Sequence, residues 1–207
     1  MKELLLVRHG QSEHHINGMT GGWTDLPLTP LGREQAARAG AYLRDRFPTK
    51  AQELVASDLA RAAQTAEIIG AALGLAVVSN QALREIYNGV ATNLRQEDAN
   101  RLSLPRSEPV LDWLPYPEAE SWRVFQTRVN GFMTELDAGG AERVLIVSHG
   151  GTLVAIVNWW LRIHAEENLR DITYGFDPCS VTHLNSSDDG SRRIVRLNDT
   201  RHLEGMG

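Results

Sequence analysis

Two short runs constrain the fold of this chain most: Leu4-Leu5-Leu6-Val7 and Val144-Leu145-Ile146-Val147. Each is apolar without a break and too short for a helix, so each reads as a strand buried on both faces. Strands and helices alternate between them, which makes the fold class α/β. Leu4–Arg8 is the first strand. Thr29 caps a helix with Pro30 at its first position, continuing through GREQAARAGAYLRDRF. Glu53–Ala56 is a second strand, and Asp58 is the candidate cap of the helix LARAAQTAEIIGAAL, which Gly74 ends. Ala76–Ser79 is a third strand and Arg143–Ser148 a further buried one.

Residues 86–118 are irregular, with NGVATN, LPRSEP and LPYPE, and they carry one short helix near Gln96–Leu102. This excursion is expected to lid a pocket, and its Arg95, Arg101 and Arg106 are expected to be solvated. Trp122, Phe125, Val129, Phe132, Met133 and Leu136 recur at helical spacing and form a core stripe. A helix from Gly151 runs through WWLRI. Trp159 and Trp160 are adjacent and point in different directions. One belongs in the core and the other is free to meet a second copy, which leaves a homodimer open. SVTHLN and RRIVRLN flank an Asp-Gly turn and read as a β-hairpin. With no linker or repeat, residues 1–207 are expected to be one domain.

Every strand tip that ends in polar sequence is a mount for chemistry. The first apolar run delivers Arg8, His9 and Gly10, and RVLIVSHGG delivers His149 and Gly150. A lone histidine after a strand is ordinarily a packing residue. Two, on parallel strands of one sheet, would share one carboxyl edge, where α/β ligands bind. Arg61 falls in the first turn of its helix, where a cation opposes the macrodipole unless it reaches an anion across the helix N-terminus. There it would add a bidentate clamp. Ser57, just before that helix, could hold a histidine. Glu85, in LREIYNG, is the carboxyl group that such a site would use as proton donor.

Taken as an ordered set, RHG, SDLARAAQTA, LREI and SHGG resemble the histidine phosphatase superfamily, also called the phosphoglycerate mutase-like family. The likeness covers essentially the whole chain, including GGWTDLPLTPLGREQA, CSVTHL and LNDTRHL. It implies a three-layer α/β/α sandwich with a mostly parallel central sheet and the site at its carboxyl edge. It implies His9 as the nucleophile that becomes phosphorylated, Arg8 and Arg61 on the phosphoryl oxygens, His149 as a further cationic ligand, and Glu85 as general acid and base. Ser12 and Gly22 stand where the family often makes additional phosphate contacts. The position of the family's phosphate-contacting asparagine is His15 here, within His14-His15. Met19 replaces a common arginine, and Val90-Ala91-Thr92 follows the glutamate in place of a Trp-Glu-Gly.

The expected function is a phosphomonoester phosphatase acting through phosphohistidine on a small phosphorylated metabolite. A cofactor-dependent phosphoglycerate-type mutase and a non-catalytic phosphate- or phosphoprotein-binding module are the alternatives. No cofactor and no metal are expected. Adjacent side chains such as His14 and His15 should diverge, and no carboxylate matches them. The net charge is −5, from 21 Lys+Arg against 26 Asp+Glu, which argues against nucleic acid as a partner. Nothing approaches a membrane span, Cys179 is the single cysteine, and a secretory signal is not expected before the first strand. A cytoplasmic location is expected.

Overall fold

The computed structural model describes residues 1–47 and 51–206. Strands β1 (Glu3–Arg8), β2 (Glu53–Ala56), β3 (Val77–Ser79), β4 (Arg143–Ser148), β5 (Val181–Ser186) and β6 (Arg192–Asp199) lie in the order β3-β2-β4-β1-β5-β6. Strands β1 to β4 are mutually parallel, β5 pairs antiparallel with β1, and β6 pairs antiparallel with β5. Side chains alternate across each strand. Leu4, Leu6, Val144 and Ile146 therefore enter one core, and Leu5, Val7, Leu145 and Val147 the other.

Helices α2 (Pro30–Arg46) and α3 (Ala60–Leu73) cover the second of these faces through Ala36, Ala39, Leu43, Ala66 and Ile69. Helices α5 (Trp122–Ala138) and α6 (Gly150–Trp160) cover the first through Phe125, Val129, Met133 and the run from Leu153 to Val157. The result is the α/β/α sandwich. An apolar run alone does not distinguish a register from its neighbour. Polar ends do so here: Glu3 lies opposite Arg143 and Arg8 opposite Ser148, which sets both strand tips level.

Several local expectations change. Asp58 does not cap α3. It forms a two-pronged ion pair with Arg84 at 2.7 Å, and the amide of Ala60 donates to Asp25 Oδ1 instead. A charged tertiary partner outcompetes the local cap. Helix α6 stops at Trp160 rather than running through Ile163, because Arg162 adopts φ +57, outside helical space. Two short helices, α1 (His14–Asn17) and α7 (Glu166–Asp171), were not expected, and neither buries a residue that would leave an apolar stripe. Helix α4 (Gln96–Arg101) forms within the excursion. That excursion docks on the segment after β1, with Thr20 donating to Leu94 O and Gln96 to Gly18 O. Trp160 is fully buried, while Trp159 is partly covered by the Arg192 guanidinium, 4.8 Å from its ring.

Candidate active site

Because β1 and β4 are neighbours in register, the residues after them meet. The His9 amide donates to Ser148 O, and the His9 and His149 rings lie 5.1 Å apart. His9 is 2% exposed. Its Nδ1 faces Gly10 O at 2.8 Å, an acceptor, so Nδ1 carries the proton and Nε2 presents a lone pair. Arg61 Nε donates to that lone pair at 3.2 Å. Burial, then His149, Arg61 and Arg8, hold the His9 pKa well below the usual imidazole value. The ring is held neutral, with its lone pair on Nε2.

The two arginines present edges rather than forks. Arg61 Nη1 and Nη2 each donate one hydrogen bond, to Thr24 O and Gly22 O, and Nε is the group aimed at His9. Burial draws its pKa down to about 10, which leaves it charged at neutral pH. Arg8 Nη1 donates to Phe176 O, while its buried Nε has no partner among the described residues. His149 Nε2 meets Ser57 Oγ at 2.8 Å, and Leu59 N also donates to that oxygen. Ser57 therefore holds His149 through Nε2, and His149 Nδ1 is buried without a partner among the described residues. Burial, then Arg61 and Arg8, press the His149 pKa well down. Its surroundings thus favour the neutral ring over the cation expected of it.

Gly22 sits at φ +58, and a Cβ there would collide with the Asn88 carboxamide, so glycine is required for its carbonyl to reach Arg61. Ser12 is buried, its amide bonded to His15 Nδ1 and its hydroxyl to His14 Nδ1. His15 lies against the His9 ring, 5.6 Å away, with Nε2 3.1 Å from Arg8 Nη2. The His14 and His15 rings are 4.0 Å apart. They converge because Ser12 gathers both, contrary to the expected divergence. Among the described residues, no group of three or more His, Cys, Asp or Glu is arranged to hold a metal ion.

Glu85 is fixed by backbone. Its Oε1 accepts from Ile86 N at 2.8 Å and its Oε2 from Gly151 N at 2.9 Å, at the start of α6. A Cβ on Gly151 would run into Glu85 Oε1. Three supporting residues escaped the sequence reading. Trp23 Nε1 donates to Glu85 O, and the Arg84 guanidinium lies 4.5 Å over the Trp23 ring. Arg128 donates to the carbonyls of Ala82, Arg84 and Glu85 while paired with Glu120. The available signal was Arg128 itself, a cation flanked by the buried Phe125 and Val129 of the α5 stripe.

The sequence profile of the histidine phosphatase superfamily (branch 1) matches residues 4–200, and the chain belongs to that superfamily. A Hydrogenobacter thermophilus relative named for phosphoserine phosphatase is 34% identical over 214 residues, covering 100% of both chains. A broad-specificity phosphatase of Saccharomyces cerevisiae is 29% identical over 97% of this chain and 86% of its own. The native structure of mycobacterial glucosyl-3-phosphoglycerate phosphatase superposes with a TM-score of 0.79 at 26% identity, over 96% of this chain and 99% of that one.

Proposed function

We propose that the protein is a metal-independent phosphatase of small phosphomonoesters that works through a phosphohistidine on His9. One observation carries this reading: a buried, neutral His9 with Nδ1–H on Gly10 O and its Nε2 lone pair facing Arg61. A phosphoryl group in flight spreads negative charge over three equatorial oxygens, so cationic edges and fixed donors are most of what catalysis needs. Arg8 Nε, Arg61 Nε and His149 Nδ1–H supply them. Nε2 of His9 attacks phosphorus in line, the P–O ester bond breaks, and Glu85 gives its proton to the departing oxygen. Glu85, now ionised, takes a proton from water. The hydroxide attacks phosphorus, the N–P bond breaks and Nε2 regains its lone pair. Residues 86–118, docked on the loop after β1, act as the lid, and the whole chain works as one catalytic domain. No helix of the described residues is long and apolar enough to cross a membrane, in keeping with a small diffusible substrate.

Purified protein is expected to hydrolyse p-nitrophenyl phosphate, with full activity in EDTA and competitive inhibition by orthovanadate. Activity lost to EDTA and restored only by a divalent ion would refute the metal-free clamp. Isomerisation of 3-phosphoglycerate without phosphate release would favour the mutase reading. Gly151→Ala tests the placement of Glu85. Alanine suits a helix turn better than glycine, so stability should hold while kcat falls about a hundredfold, the cost of a group displaced by ~1 Å. Unchanged kcat would mean that Glu85 is not held where it acts.

A further inference from the structure

His14 stands in the pocket wall with no part in the two chemical steps, yet its ring is wired to Ser12. Ser12 has two protons to give. Its backbone N–H donates to His15 Nδ1 at 3.0 Å. An imidazole nitrogen has one in-plane lone pair, so that acceptor is taken. The Ser12 hydroxyl, 3.3 Å from the same atom, is 2.8 Å from His14 Nδ1. His15 Nδ1 therefore accepts, and the neutral His15 ring carries its proton on Nε2; with the Ser12 hydroxyl as donor, His14 would match it. Neutrality is favoured for both. Burial first, then His15, Arg61 and Arg8, bring His14 down to about 3, and burial with the two arginines lowers His15.

The consequence for His15 is a donor facing a donor, with Nε2–H 3.1 Å from Arg8 Nη2. One anionic oxygen accepting from both satisfies the pair. His14 stands one step further out. Its ring centroid is 5.9 Å from that of His9, and Nε2 lies beside Gly21, 3.6 Å from where a Cβ would sit. Among the described residues, the one hydrogen bond of the His14 ring is to Ser12.

We propose that Ser12 is a positioning residue that locks His14 and His15 as Nε2–H donors, and that His14 is a specificity-determining donor to an anionic oxygen of the substrate. The proposal deepens the phosphatase reading and rests on it. It also reassigns Ser12, which the family likeness placed on the phosphate. The oxygen belongs either to the phosphoryl group or to a carboxylate close to it on the same ester.

Calorimetry with two phosphonates that cannot be hydrolysed separates these sources: propylphosphonate, and 2-amino-4-phosphonobutanoate, which adds a carboxylate. His14 is half-buried on a four-residue helix, so His14→Phe keeps the fold. It should weaken binding about tenfold, as expected for a hydrogen bond to a charged oxygen. Equal weakening of both ligands assigns the oxygen to the phosphoryl group, and weakening of the second alone assigns it to the carboxylate. Unchanged binding of both overturns the donor role. Long-range proton–nitrogen NMR of the imidazoles reads the lock directly. Wild type should show His14 protonated on Nε2, and Ser12→Ala should lose that preference. A wild-type His14 protonated on Nδ1 overturns the lock. Wild-type protein that binds neither phosphonate overturns the phosphatase reading and the donor role with it.

Discussion

His9→Ala is expected to reduce turnover by roughly 10⁴- to 10⁶-fold, the scale on which losing a covalent nucleophile is felt. No other nitrogen in the pocket replaces it. His149 Nε2 is engaged with Ser57, and the Nδ1 atoms of His14 and His15 are engaged with Ser12. With the Ser12 amide donating to its Nδ1, neutral His15 carries its proton on Nε2. The fold should survive, because the His9 ring gives up one bond to its own neighbour's carbonyl and one from Arg61, while β1 keeps its register. Rapid acid-free quench with a labelled substrate should find phosphoprotein in wild type and none in the variant. Turnover within tenfold of wild type would sink the covalent route.

Glu85→Gln should separate substrates by their leaving groups. The substitution nearly preserves shape and removes the titrating proton. An alkyl phosphate needs that proton for its alkoxide to depart, whereas nitrophenolate leaves unaided. The alkyl ester should therefore lose more, by the ~10²–10⁴-fold typical of general acid catalysis. On the aryl ester the first step survives and the second lacks its base, so phosphohistidine should accumulate. A burst of nitrophenolate with an acid-labile phosphoprotein is the expected signature. Equal losses on both esters with no burst would pass the proton role to another carboxylate, with Glu13 the first to examine.

The sheet and the histidine pair were legible because unbroken apolar runs declare buried strands, and parallel neighbours bring the residues that follow them together. His9, His149, Arg8, Arg61 and Glu85 all arrive at one edge. What sequence could not convey was how each polar atom is used. The cap at Asp58 was lost to Arg84, a partner 26 positions away, and Asp25 took over from a different loop. Arg61 also holds two backbone carbonyls through its Nη groups, and loop carbonyls leave no mark in side-chain pattern. The lowered pKa of His149 was hidden for a related reason. Its environment is set by long-range burial beside two arginines. Helix α1 has four residues, too few to show a period.

Arg61 also ties recognition to the order of its surroundings. The side chain that faces His9 holds Gly22 O and Thr24 O, and Asp25 in the same loop accepts from Ala60, the residue before Arg61. The loop and the start of α3 thus close a ring of hydrogen bonds around the guanidinium. A dianion drawn to Arg61 Nε favours the one placement of that guanidinium in which the ring is complete. Binding and loop order are then thermodynamically linked, and linkage runs both ways: whatever loosens residues 22–25 weakens the anion site by the same factor.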